Sequence, residues 1–319
     1  MQDKTKILQL TYLSVMQITI HDFSGVYSDQ PFLQALRDSS HNVAPTSKNV
    51  DSVTVEEKQT QVIWLDGKQI SGTDCYCDDD AAAALRKQID DAGIKNAEGI
   101  HFFDNGNYHY MSKIWTDMVQ EPFSLIVFDH HPDMHPPRFG DILSCGGWVQ
   151  KALNENKFID NVVIIGVADH LVDEIRQEIA SHPSGARHDN SAIFDKVTFI
   201  KESELPSVSL KGRSPDRVHH TFHIPHSTSI YLSIDKDALS PSDALTNWDQ
   251  GSLRLEHMKS IISEIAKDHR IIGVDICGER AYDFEGNEQY TVSQADALNN
   301  RTNRELVDFF RNLLNPSRG

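Results

Sequence analysis

Short apolar runs rich in β-branched residues alternate along the chain with stretches of helical period. Ser124–Phe128, Asn161–Val167, Val197–Ile200, Ser229–Ile234 and Arg270–Ile276 carry few polar positions, so they predict strands buried on both faces. Gly147–Asn156, Leu171–Ser181, Leu255–His269 and Arg304–Leu314 predict helices, and an earlier helix over Asp79–Ala92 precedes a strand around Gly99–Phe103. Buried apolar strands alternating with helices predict a parallel α/β sheet. Residues 40–72 are less regular, with a hairpin expected around Asp66-Gly67. In the first 22 residues the apolar positions are interrupted by Gln, Thr and Ser, which predicts one or two opening strands. Nothing marks a linker, a repeat or a low-complexity tract, so a single domain over residues 1–319 is expected. No run approaches the roughly 18 apolar residues of a membrane helix.

With 39% hydrophobic residues in 319, the chain can bury a sizeable core. Its formal net charge of −17 argues against nucleic acid or an anionic membrane as a partner, because phosphates repel such a field. The same acidity suits a protein rich in carboxylate ligands, and it also serves solubility. The four cysteines, Cys75, Cys77, Cys145 and Cys277, form no disulfide framework, and the CxC pair lacks the spacing of redox or zinc motifs. Reduced thiols and an N-terminus without a basic-then-apolar leader predict a cytoplasmic protein.

In open parallel sheets, ligands bind beyond the carboxyl ends of the strands. Three predicted strands here run into acidic residues: Asp129-His130-His131-Pro132-Asp133, Asp235-Lys236-Asp237, and Asp275. Burying carboxylates without a partner is expensive, so such clusters mark a site. Side chains at i and i+2 of an extended segment share a face. Asp129, His131 and Asp133 therefore converge, and so do Asp235 and Asp237. The four carboxylates balance the charge of two divalent cations. Carboxylates with imidazoles suit manganese or a similar ion, and the absence of thiolate spacing argues against structural zinc.

These elements resemble those of the ureohydrolases, the arginase, agmatinase and formiminoglutamase family. Asp129-His130-His131-Pro132-Asp133 is similar to the family's D-x-H-x-D element, and Ser233–Pro241 to its S-x-D-x-D-x-x-D-P element. Phe103–His109 falls where the family has a glycine-rich loop ending in a metal-binding His, and Asn161–Gly166 resembles its next strand. Order and spacing agree over about residues 95–285. The resemblance implies an arginase-like three-layer α/β sandwich around an eight-stranded parallel sheet. It implies two manganese ions bridged by hydroxide and held by His109, Asp129, His131, Asp133, Asp235 and Asp237, with Asp133 also orienting the hydroxide. It further implies hydrolysis of a C–N bond in a guanidine- or amidine-bearing substrate, a small molecule or a peptide side chain, through a tetrahedral intermediate, and a possible homo-oligomer.

The chain is a divergent member of that pattern. Cys145 stands where arginases place a proton-shuttling His, and either shuttles protons or only lines the pocket. Three residues after Asp275, where the family has a Glu that grips the guanidinium, stands Gly278; Glu279 next door substitutes through a bulge, or the role is lost. His135 takes the place of a residue that holds the far end of the substrate. Trp248 and Asp249 offer a ring face and a carboxylate to a cationic substrate, although Trp248 also reads as a core residue. His219, His220, His223 and His226 lack ligand spacing and read as a solvated segment. Two alternatives stand beside the hydrolase: a deacetylase-like amide hydrolase with a single metal on a related fold, and a metal-binding protein that has lost ureohydrolase activity.

Overall fold

In a computed structural model the described residues are 16–40, 60–137, 140–181, 192–205 and 229–314. The stretch His219–His226 lies outside them, as do all the residues that precede Met16. The chain opens with β1 (Met16–Asp22), α1 (Pro31–Ser40), β2 (Thr60–Asp66) and the two-residue β3 (Tyr76–Cys77). It continues through α2 (Asp79–Asp91), β4 (Gly99–Phe102), α3 (Met111–Thr116), β5 (Phe123–Phe128), a second two-residue strand β6 (Leu143–Ser144) and α4 (Trp148–Glu155). Then come β7 (Ile159–Val167), α5 (Asp169–Ser181), β8 (Val197–Lys201), β9 (Ser229–Asp235), α6 (Leu255–Ile265), β10 (Arg270–Cys277) and α7 (Val292–Leu314).

Eight strands form one parallel sheet in the order β2-β1-β4-β10-β9-β5-β7-β8. Helices cover both faces, because successive side chains of a strand point to opposite sides. On one face Leu125 and Val127 of β5 pack under α2, α3, α4 and α5 through Leu85, Trp115, Trp148 and Ile175. On the other, Ile126 and Phe128 pack with Leu33 of α1, Ile262 of α6 and Phe310 of α7. β1, β2 and β4 build one wing of the sheet, and β5, β7 and β8 the other. β9 and β10 enter last and fill the centre. The carboxyl ends of β4, β10, β9 and β5 are thus neighbours, at the point where the strand order reverses and open sheets bind their ligands.

The expected helices and strands form within a few residues of their predicted bounds, with informative exceptions. No hairpin forms at Asp66-Gly67. β2 pairs in parallel with β1, and the Gly67 N–H continues that ladder to the Asp22 carbonyl at 2.9 Å. A Cβ on Gly67 would lie 2.6 Å from the Phe23 ring, so glycine is required there by close packing rather than by a turn. α7 begins twelve residues before Arg304, because its first turns bury polar Asn299, Thr302 and Asn303, which break the apolar period. Thr302 and Asn299 instead bond to the backbone of Asp243 and Leu245. Among the described residues, no helix is long and apolar enough to cross a membrane.

Candidate metal centre

His109, Asp129, His131, Asp133, Asp235 and Asp237 come together beyond the carboxyl ends of β5 and β9. Asp129 follows β5 directly, and Asp235 is the last residue of β9, followed by a one-turn 3-10 helix, Lys236–Ala238, that carries Asp237. The turn is fixed by Asp235 itself, whose Oδ1 accepts from the Asp237 N–H at 3.0 Å. His109 arrives from the loop after β4 and caps the short 3-10 helix Gly106–Tyr108. Asp133 has φ of 48°, in the left-handed region that a non-glycine residue occupies only when its surroundings hold it there. The hold is visible: its carbonyl accepts from the Val149 N–H at 3.0 Å, and its Oδ2 from the Trp148 indole N–H at 2.7 Å.

The donor atoms fall into overlapping sets. His109 Nδ1 lies 3.2 Å from Asp129 Oδ2, 2.9 Å from Asp133 Oδ2 and 3.7 Å from Asp235 Oδ2. His131 Nδ1 lies 2.8 Å from Asp237 Oδ2 and 3.5 Å from Asp129 Oδ1. The donors of His109, Asp129 and Asp133 lie within 4.8 Å of one another, and so do those of Asp129, His131 and Asp237. Asp129 belongs to both sets, one oxygen turned to each imidazole. The two rings present the same face inward: each points Nδ1 at the carboxylates and anchors Nε2 outside them. His109 Nε2 is hydrogen-bonded to Ser233 Oγ at 2.8 Å, which meets Ser112 Oγ at 2.9 Å. His131 Nε2 is hydrogen-bonded to Asp249 Oδ1 at 3.0 Å.

Four carboxylates this close and this buried repel one another. Burial, then the neighbouring Asp237, pushes Asp235 up to about 7, and burial with Asp129 pushes Asp237 up to about 6. Burial alone lowers both imidazoles, but the adjacent carboxylates of Asp129 and Asp133 lift His109 well above its ordinary value. Hydrogen bonds to Asp129 and Asp237 do the same for His131. The site thus gathers protons to offset its carboxylates. The Oδ2 of Asp129 is buried without a hydrogen-bond partner. Hard oxygens, two imidazole Nδ1 atoms and an orphaned buried carboxylate oxygen fit a pair of divalent cations, which would satisfy that oxygen and release those protons.

Asp129, His131, Asp133, Asp235 and Asp237 line a cavity of about 340 Å³, with His109 outside its lining, a volume within the range that encloses a small molecule. Its walls come from loops. The antiparallel pair β3–β6 brings Cys75 and Cys145 to one side. Trp248 closes another, its indole N–H donating to Asn107 Oδ1 at 3.1 Å and its ring 5.8 Å from that of His131. At 43% exposed, Trp248 belongs to the cavity mouth and not to the core. His135 lines the cavity as well, and its Nδ1 pairs with Glu178 at 2.6 Å. Asp249 is tied to His131 and does not line the cavity.

Two expected residues behave otherwise. Glu279 is fully buried away from the cavity, bonded through one oxygen to Lys236 and Asn303 and through the other to Gln30. The bulge that would bring it to the substrate does not occur. Gly278 has φ of 87°, and a Cβ there would lie 2.4 Å from Asp235 Oδ1, so the position expected to carry the Glu is occupied by backbone pressed against a candidate ligand. Cys145 does reach the cavity wall, beside Cys75. The neighbouring Cys75 thiol, then burial, pushes Cys145 far above the usual thiol range. A thiol that keeps its proton is a poor shuttle. Trp148, Ser112 and Asp249 support these donors through contacts that no sequence spacing announces, and Ser233 is marked only as the first residue of the S-x-D-x-D element.

The sequence profile of the Arginase family matches residues 101–283, a span that holds the whole ligand set. An uncharacterized protein of Thermotoga maritima is 28% identical over 181 residues, covering 57% of this chain and 58% of that relative's own length. Among solved structures, proclavaminate amidino hydrolase from Streptomyces clavuligerus superposes with a TM-score of 0.57 at 15% identity, covering 94% of this chain and 93% of that one. Formimidoylglutamase from Bacillus subtilis gives 0.52 at 13% identity, covering 95% and 88%. A triple mutant of an arginase-like protein from T. brucei, bound with Mn2+, gives 0.52 at 14%, covering 97% and 93%. The fold is that of these proteins, and the profile match over more than half of its length establishes that the chain belongs to the arginase family.

Proposed function

We propose that this protein is a hydrolase that uses two divalent ions, manganese by its donor set, to cleave a C–N bond in a guanidine- or amidine-bearing substrate. The observation that carries the reading is the pair of overlapping donor sets that share Asp129 at the floor of a cavity. His109 Nδ1, Asp129, Asp133 and Asp235 would hold one ion, and Asp129, His131 Nδ1, Asp235 and Asp237 the other. When bound, such a pair makes a water molecule acidic enough to serve as a nucleophile near neutral pH, with a pKa of about 7. The names of the structural relatives, amidino hydrolase and formimidoylglutamase among them, support the substrate class.

The chain's own groups have separable tasks. Ser233 and Asp249 fix the two imidazoles by accepting from Nε2, so that Nδ1 is the free ligand atom; such outer partners set ring orientation and basicity. Trp148 holds one oxygen of Asp133, leaving the other to accept a proton from the attacking water. The Trp248 ring at the cavity mouth offers its face to a delocalised cation. His135, held by Glu178 on the opposite wall, contacts the part of the substrate that points to solvent. Cys145 keeps its proton and lines the wall.

A second reading has one specific observation in its favour. With Gly278 at the gripping position and Glu279 turned inward, no carboxylate among the described residues takes over the guanidinium grip, as a metal-binding protein without ureohydrolase activity would have it. One experiment separates the two: the metal-loaded chain is offered arginine, agmatine, guanidinobutyrate, a peptidyl arginine and formimino and acylamine compounds, and urea or ammonia release is measured. Urea or ammonia from a guanidine or formimino compound supports the hydrolase. Acylamine cleavage with a single bound ion points instead to the deacetylase-like alternative. Full metal loading with no turnover across the panel rejects both enzymes.

A further inference from the structure

Cys277 ends β10 and stands beside Asp235, the end of β9, in the parallel register. Its thiol donates a hydrogen bond to Asp235 Oδ2 at 3.2 Å, the oxygen that also faces His109 Nδ1. The side chain is only 1% exposed. Donor atoms of His109, Asp235 and Cys277 lie within 4.8 Å of one another, a third set that overlaps the set of His109, Asp129 and Asp133. A separate observation points to a ligand beside the same imidazole: Asp129 Oδ2, 3.2 Å from His109 Nδ1, is buried and accepts no hydrogen bond.

The spacing suits two ligands of one ion. With a metal–oxygen bond of about 2.1 Å and a metal–sulfur bond of about 2.3 Å, neighbouring O and S ligands lie roughly 3.1–3.6 Å apart for bond angles between 90° and 109°. The observed 3.2 Å falls inside that interval.

We propose that Cys277 is a sulfur ligand of the ion position formed by His109, Asp129, Asp133 and Asp235. That position then takes a borderline divalent ion such as Fe2+, Co2+ or Zn2+, while the sulfur-free position at His131 and Asp237 suits Mn2+. This inference rests on the metal-centre reading above and modifies its manganese assignment for one of the two ions. Binding displaces the thiol proton to water in the cavity, since a coordinating thiol is deprotonated outright. The thiolate leaves the centre one negative charge beyond balance with two divalent ions, an excess that a cationic substrate neutralises.

The test titrates the metal-free full chain with Co2+ and follows bound cobalt together with near-ultraviolet absorption. The expected result is a sulfur-to-cobalt charge-transfer band that survives in a Cys75→Ser/Cys145→Ser double variant. Cys277→Ser should still bind cobalt but lose the band, and its affinity for Zn2+ relative to Mn2+ should fall about tenfold or more, at least the loss seen for outer-shell partners. A thiol that merely holds Asp235 in place gives no such band. Bound cobalt without a sulfur band, or a band that persists in Cys277→Ser, overturns the assignment to Cys277 and leaves the metal centre standing. Chain that binds no cobalt, manganese or zinc overturns the metal centre and this inference with it. Should Cys277→Ser fail to fold, the double variant still decides, because loss of its band moves the sulfur to the cavity wall and contradicts the proposal.

Discussion

At the floor of the cavity the side chains of Asp129, Asp235 and Asp237 are at most 4% exposed, while on the rim those of His135 and Asp249 are 40% and 71% exposed. The floor is set by strand ends in fixed register, and three of its six candidate ligands have a second side chain that fixes their orientation: Ser233 for His109, Trp148 for Asp133, Asp249 for His131. The rim is made of loops, held by contacts such as His135 to Glu178 and Trp248 to Asn107. The floor resembles the family's pattern residue by residue, and the rim departs from it. A rigid sheet end can keep one chemistry while the loops above it exchange substrates.

The sharpest way to break this contrast is to remove a ligand. Asp235→Ala should abolish binding of the second ion and lower hydrolysis by at least about three orders of magnitude, because metal stabilisation is worth several kcal/mol and about 1.4 kcal/mol is tenfold in rate. Metal analysis and turnover on the substrate found in the panel check both. Below the floor, Phe128→Ala should destabilise the protein by about 3–5 kcal/mol, read from denaturant unfolding, because that ring is fully buried between sheet and helices.

Metal-free protein should respond to pH in a direction fixed by the floor. Asp235, Asp237, His109 and His131 all bind protons more tightly when folded than when unfolded. Their stabilisation is complete at low pH and is lost as pH rises from about 4 through the folded values of about 6 and 7 for the two carboxylates. Added Mn2+ displaces those protons, so it should raise the melting temperature by more at pH 8 than at pH 5. Equal shifts at both pH values would contradict the proton-loaded description of the empty donors.

Smaller effects sharpen the border between the regions. Asp249→Asn should weaken metal binding about 10–100-fold by loosening His131, although Asp249 itself stands among the most exposed residues of the rim. Trp248→Ala should leave metal affinity unchanged and stability within about 0.5 kcal/mol, while raising KM for a cationic substrate. A loss of metal affinity in Trp248→Ala would mean that the mouth supports the floor and that the two regions are not separable.

The buried strands and five of the six candidate ligands were legible because both follow from short-range rules, whereas His109 entered only through the family resemblance. Both-face burial demands unbroken apolar runs, and i, i+2 spacing at a strand end brings Asp129 to His131 and Asp235 to Asp237. The supporting residues were not legible. Trp148 reaches Asp133 across a loop, Asp249 reaches His131 across the sheet order, and neither pairing has a sequence period. Glu279 misled for the same reason. Its position in the chain suggests the cavity, but its side chain is claimed by Lys236, Asn303 and Gln30 from three other elements. Asn299 and Thr302 hid the first half of α7, because buried polar residues erase the apolar period of a helix.

The most direct test of the paired centre is metal stoichiometry. The full chain is stripped of metal, reloaded with excess Mn2+, freed of unbound ion, and analysed for manganese per polypeptide. Two ions per chain, falling to one or none in Asp235→Ala, is the result predicted for overlapping donor sets that share Asp129. A single ion in the wild-type chain, or two ions retained in Asp235→Ala, would contradict it.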